Sequence, residues 1–245
     1  MVKQSFTRVP IQVKGAIFDL DGTLLDSMGV WDTVGDRFLI QRGIAPPPQL
    51  RRTLKPMRLT EAIAYLKERY QLKEPISQLM QEATALIEPD YRHNILLKPT
   101  ALPFLETLAA YKIPLCIATA TDRPLVEAAI RRLKIEHYFS DLITCTEVGI
   151  GKGRPDIYFY ALSLLGTAQD ETIVFEDARH AVETAAAAGF HVAAVYDPSA
   201  KTDAAAIQKA ADWYLPTYDA FWTYFDRTAF PFCSPCVQTA AGQTV

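Results

Sequence analysis

No stretch of the chain approaches the run of about twenty apolar residues that a membrane-spanning helix requires. The opening residues, MVKQSFTRVPIQVKG, lack the apolar centre of a secretory signal, so a cytoplasmic protein is expected. There is little imbalance of charge. Lys and Arg number 25 against 28 Asp and Glu, a net charge of −3, which gives no reason to expect nucleic acid or an anionic membrane as partner. Cysteine is scarce, and four in 245 residues do not make a disulfide scaffold. Cys116, in IPLCIAT, and Cys145, after DLIT, read as small buried hydrophobes. Cys233 and Cys236 form a C-x-x-C, but two thiolates are half a zinc site and no second pair lies nearby. That tail also lacks the strand–helix context of a redox motif, so the spacing reads as accidental. What remains is ordinary: 49% hydrophobic and 22% charged residues, the balance of a soluble globular protein with room for one large domain or two small ones.

Short apolar runs recur along the chain at Val13–Phe18, Leu115–Ala118, Leu142–Thr144, Thr172–Phe175, Val192–Val195 and, weakly, Trp213–Leu215. Helical patterns separate them, which argues an α/β protein with a Rossmann-like parallel sheet and helices on both faces. Pro124 and Pro155 stand where helices begin and a missing N–H is harmless. Gly166 and Gly189 stand where helices end. Residues 28–97 differ. Met28, Trp31, Val34 and Phe38 recur at helical spacing, as do Leu59, Ile63, Leu66 and Tyr70, then Ile76, Leu79, Met80, Ala83 and Ile87. This interval is expected to be an inserted α-helical cap domain. The α/β core then comprises 1–27 and 98–225, and 226–245 form a C-terminal tail. A helical module placed directly after the first strand would overhang that strand's carboxyl end.

The most informative segment lies at that end: FDLDGTLLDS, Phe18 to Ser27. Two carboxylates, Asp19 and Asp21, follow an apolar strand, and Gly22 and Thr23 turn the chain. Residues two apart on an extended strand point the same way, so both acids are expected to address one small volume. Ligands bind at that end of open parallel sheets. Two acids there repel each other, and a shared proton, a cation or both must offset the repulsion.

Three later segments also sit at the ends of apolar runs. In IATATDR, Thr119 offers a hydroxyl, and the turn into the next helix offers amides such as that of Ala120, which suit phosphate oxygens. In GIGKGRPDIY, Lys152 lies between Gly151 and Gly153, which let the backbone approach a ligand closely. Asp156 either steadies Lys152 or begins its own helix. In IVFEDARHAVETA, Glu176 and Asp177 place adjacent acids at a strand tip, an arrangement that is expensive unless a cation is bound. His180, just beyond, reads as a helix-face histidine rather than a base.

In this order, D-x-D-G-T, the threonine, the lysine and the acidic pair resemble the four motifs of the haloacid dehalogenase-like hydrolase superfamily, over about residues 14–200. The match is to its phosphatases with an α-helical cap inserted after the first strand, similar to β-phosphoglucomutase-like phosphatases. Gly153 stands where the family often has proline. The resemblance implies an Mg²⁺-dependent phosphoric monoester hydrolase acting on a small phosphorylated sugar, polyol or acid. Asp19 would be the nucleophile and Asp21 the acid–base. Thr119, Ala120 and Lys152 would hold the phosphoryl group. Asp19, the Asp21 carbonyl and Asp177 would hold Mg²⁺, with Glu176 acting through water.

Arg58, in the cap segment LKPMRLTEA, resembles the arginine with which β-phosphoglucomutase grips a second phosphate, so Arg58 is a candidate substrate contact. That mutase is the nearest rival. It carries a histidine where this chain has Trp31 and a lysine where it has Asp122, and both departures favour a phosphatase. The dehalogenases lack the second acid that Asp21 supplies, and a non-catalytic binding protein would be expected to lose a motif residue. The expected protein is a monomer.

Overall fold

The computed structural model describes residues 11–54, 57 and 59–225. Arg58, Cys233 and Cys236 lie outside the described residues. Six parallel strands form one sheet: β1 (Gly15–Phe18), β2 (Leu115–Thr119), β3 (Asp141–Thr144), β4 (Thr172–Glu176), β5 (His191–Val195) and β6 (Trp213–Leu215), ordered β3-β2-β1-β4-β5-β6. The order reverses at β1, between β2 and β4. In open parallel sheets such a switch point leaves a crevice at the strands' carboxyl ends. Each apolar run predicted as a strand is one, with ends shifted by at most two residues.

Strand alternation divides the core into two layers. On one face Phe18, Ile117, Phe175 and Leu215 pack against α5 (Ala101–Ala110) and α6 (Arg123–Arg132). Here Phe18 stacks on Phe175 with ring centroids 4.4 Å apart, and Phe104 and Tyr218 stack at 4.9 Å. On the other face Ile17, Ala118, Val174 and Val192 pack against α8 (Asp156–Leu165), α9 (Arg179–Ala187) and α10 (Ala204–Ala210). Both faces are covered, which is why the strands read as continuous apolar runs.

Between β1 and β2 the chain forms α1 (Met28–Gln41), α2 (Leu50–Leu54), α3 (Leu59–Arg69) and α4 (Ile76–Pro89). Helix α1 packs on α2 and α4, and α3 packs on α4. Past Pro89 the helix widens into one π turn, Asp90–Asn94. The outgoing and returning segments pair across their necks. The Asp26 amide donates to the Leu96 carbonyl (2.9 Å), and the Lys98 amide to Leu24 (2.8 Å). Arg132 on α6 donates to the carbonyls of Tyr91 (3.1 Å) and Ile95, fixing the returning turn to the sheet layer.

A buried ion pair completes that attachment. Lys98 Nζ meets Asp197 Oδ2 at 2.6 Å and the Tyr196 carbonyl at 2.8 Å, just past β5. Removing one partner of such a pair strands the other charge, at about 3–5 kcal/mol. Lys98→Met should therefore destabilise the protein by about that amount in urea denaturation. Adding Asp197→Asn should recover more than half of the loss. Equal losses in the single and double variants would show that the ion pair is not the anchor.

Candidate active site

The site begins where β1 stops. The Asp19 amide still donates to the Phe175 carbonyl (2.9 Å), so its carboxylate leaves the sheet beside the tip of β4. Gly22 then takes a left-handed φ of +79°, and a Cβ there would stand 2.3 Å from Asp177 Oδ2. Only glycine permits that approach. Thr119 ends β2, Glu176 ends β4, and Asp177 follows it. Lys152 arrives from the loop after α7 (Cys145–Val148). All five of these polar side chains are buried.

Oxygens of Asp19, Glu176 and Asp177 lie within 4.8 Å of one another. Lys152 Nζ donates to Asp19 Oδ1 and, at 2.5 Å, to Glu176 Oε1. The Tyr158 hydroxyl donates to the same Glu176 oxygen (2.8 Å), and Thr23 Oγ1 donates to Asp177 Oδ1 (3.1 Å). Three acids thus face one ammonium. Burial, helped by the charges of Glu176 and Asp21, pushes the Asp19 carboxyl up to about 7 against the pull of Lys152. Burial and then the Asp19 and Glu176 charges raise Asp177 well above the carboxylate range. Burial opposes the Lys152 ammonium, but Asp19 and Glu176 outweigh it and hold the lysine charged. Buried carboxylates in excess over cations, all oxygen donors, are the set a hard divalent ion takes.

The Asp21 carboxylate is not part of that cluster. Its Oδ1 accepts from Ser27 Oγ (2.6 Å) and the Tyr91 hydroxyl, and its Oδ2 accepts from Thr121 Oγ1 (2.6 Å). The two acids were expected to address one volume; Asp21 has its own donors, and its charge still helps to raise the Asp19 carboxyl. The strand ends at Phe18 and the chain then turns, so two-residue alternation no longer applies. Asp156 begins α8 and pairs with Arg154 (3.2 Å), whereas Lys152 is steadied by Asp19 and Glu176. Thr119 Oγ1 accepts from the Thr121 amide (3.1 Å), which leaves its own proton to donate, and Ala120 stands exposed at the turn. His180 is exposed on α9. Cys116 is buried as expected, whereas Cys145 is half-buried.

Four site residues carried no assigned role in the sequence reading. Thr121 and Ser27 lie inside strings already singled out, and their hydroxyls were the available signal. Tyr158 lies six residues past Lys152, on the inward face of α8. Tyr91 is 70 residues from Asp21, and nothing local announces it.

Residues 16–195 match the haloacid dehalogenase-like hydrolase family, and the chain belongs to it. Among curated proteins it is 32% identical over 193 residues to hexitol phosphatase A of Escherichia coli, covering 77% of this chain and 86% of that one. It is 26% identical to a phosphorylated carbohydrates phosphatase of Thermotoga maritima, over 72% of this chain and 82% of that one. The fold is shared with CbbY from Rhodobacter sphaeroides in complex with phosphate, at a TM-score of 0.74 and 22% identity, covering 84% and 95% of the two chains. No described helix is long and apolar enough to cross a membrane.

The acid cluster has a consequence for stability. Unfolded, Asp19 releases its proton near 3.8; folded, it retains it to about 7. The folded state binds more protons between those values, so this group's contribution to stability falls as pH rises through that window. A divalent cation competes with those protons. Mg²⁺ should therefore raise the thermal midpoint above that in EDTA by more at about pH 8 than at about pH 5. A hundredfold excess over Kd is worth about 2.7 kcal/mol. Equal midpoints with and without Mg²⁺ at both pH values would contradict a cation site here.

Proposed function

We propose that this chain is a phosphoric monoester hydrolase that cleaves a small phosphorylated sugar, polyol or acid through an aspartyl phosphate on Asp19. One observation carries the reading: Asp19 sits at the switch point of the sheet, against Lys152 and an acid cluster fit for a cation. Family membership supports it, as do the phosphatase activities named for its relatives.

The work divides among the chain's own groups. Asp19 attacks phosphorus and displaces the alkoxide, replacing one difficult step with two easier ones. Asp21 gives the leaving oxygen its proton, then takes one from the water that cleaves the acyl phosphate. Lys152 balances the phosphoryl charge beside Asp19 and is itself oriented by Glu176. The Thr119 hydroxyl and the Ala120 amide orient the phosphoryl oxygens. Asp19, Asp177 and the Asp21 carbonyl would hold Mg²⁺, with Glu176 through water; the ion would neutralise charge on the phosphoryl group. Residues 28–97 act as a cap over the core formed by 1–27 and 98–225, limiting water to the attacking molecule. We take the enzyme to work as a cytoplasmic monomer.

Water rather than a second sugar phosphate is the acceptor in this reading. Trp31 and Asp122, which stand where the mutase carries His and Lys, both have other partners here. The Trp31 indole donates to Tyr91 (2.9 Å), and Asp122 accepts from Thr146 (2.8 Å) at the start of α6.

Phosphate release should be measured with Mg²⁺ over a panel of phosphorylated metabolites. Asp19→Asn keeps the shape but removes the attacking charge, and should lower turnover by about 10⁴-fold or more. Wild-type turnover in that variant would reject the covalent mechanism. Given β-glucose 1-phosphate and a trace of the 1,6-bisphosphate, the enzyme should release phosphate or remain inert. Glucose 6-phosphate accumulating without phosphate would make the chain an isomerase.

A further inference from the structure

Asp21 is held by one group from the helical insertion, Tyr91, as well as by the core. Tyr91, fully buried on the π turn, donates to Asp21 Oδ1, and Trp31 on α1 donates its indole N–H to the Tyr91 oxygen at 2.9 Å. The direction of this chain is fixed by chemistry. An indole N–H can only donate, and a phenol has one proton. With Trp31 donating to the phenol oxygen, the phenol proton points at Asp21. The Tyr91 backbone is tied to α6 through Arg132, so the ring is aimed from a fixed base.

We propose that Trp31 and Tyr91 are positioning residues for proton transfer: the indole orients the phenol, and the phenol holds the Asp21 carboxylate in one orientation beside Asp19. This inference rests on the phosphatase reading, in which Asp21 serves the leaving group. Ser27 and Thr121 grip the carboxylate from the turn after β1 and from the tip of β2. Tyr91 adds a third donor, reaching across from the insertion. This third grip forms when α1 and the π turn are packed together as they are here.

A general acid matters in proportion to how badly the leaving group needs a proton. An alkoxide needs one; p-nitrophenolate barely does. The value of kcat/KM reports the steps up to departure of the leaving group and so separates the two cases. Tyr91→Phe keeps the ring and removes only the hydroxyl. It should lower kcat/KM for glucitol 6-phosphate by about tenfold or more, and for p-nitrophenyl phosphate by about threefold or less. Trp31→Phe should shift the same ratio in the same direction, by less. Equal losses on both esters, or no loss on either, would overturn the proposal, because general damage to the fold does not discriminate between leaving groups.

Crystal structures of wild type and Tyr91→Phe decide the positioning independently of turnover. The Asp21 carboxylate should rotate or spread over more than one orientation in the variant. A single unchanged orientation would overturn the proposal. Should the wild type release phosphate from no ester of the metabolite panel, the phosphatase reading falls, while this comparison still judges whether Tyr91 positions Asp21.

Discussion

One ammonium among three buried carboxylates is the constraint on which the rest of the structure depends. Lys152 touches two of the three, Asp19 and Glu176, and Asp177 lies beside them. Buried ions are tolerated only when their partners are close and well aimed. The surroundings supply this aim: Tyr158 fixes Glu176, Thr23 fixes Asp177, and the Tyr218 hydroxyl, donating to the Thr23 carbonyl (3.1 Å), braces the turn that carries Thr23. The tight turn at Gly22 is a consequence of the same crowding, since any side chain there would occupy the Asp177 carboxylate. Electrostatic tension retained at a strand tip is a poor way to stabilise a fold and a good way to make a site for a cation and a phosphoryl group.

The insertion is joined to this centre by more than its two covalent links. Its necks pair with each other, Lys98 ties the returning neck to Asp197 past β5, and Arg132 ties the π turn to α6. Asp197 also adds its charge to those that raise Asp177. The returning neck and the acid cluster therefore share an electrostatic neighbour. The π turn itself follows Pro89, which cannot donate to the preceding turn. The widening there brings Tyr91 inward, in keeping with the frequent use of π geometry at functional positions.

The sheet was legible because each strand is buried on both faces and so reads as a short apolar run. The strand tips were legible because polar residues end those runs abruptly. Asp19, Thr119, Glu176 and Asp177 lie where that rule places them, whereas Lys152 comes from the loop after α7. Asp21 marks the limit of the rule: its position was readable, but its direction depends on how the chain turns after Phe18. Asp156 was ambiguous because a helix-starting acid and a lysine partner look the same in sequence. Tyr91 was silent. A tyrosine after a helix has no local feature that separates a surface residue from one whose hydroxyl meets an acid 70 residues away. The helices of the insertion were readable from their periodicity, whereas the pairing of its necks is a long-range contact with no period to reveal it.

Trp31 shows how a departure from a family pattern acquires a physical meaning. As a sequence feature it was only a missing histidine. In the structure its single donor is committed to Tyr91, so it has no proton to exchange and no acceptor to offer a substrate. Asp122 is likewise taken up at the start of α6 by Thr146. Neither position retains a cation with which to hold an incoming phosphorylated alcohol. With both side chains committed elsewhere, neither position helps to hold a phosphorylated alcohol as acceptor, in keeping with the proposed reading in which water takes that part.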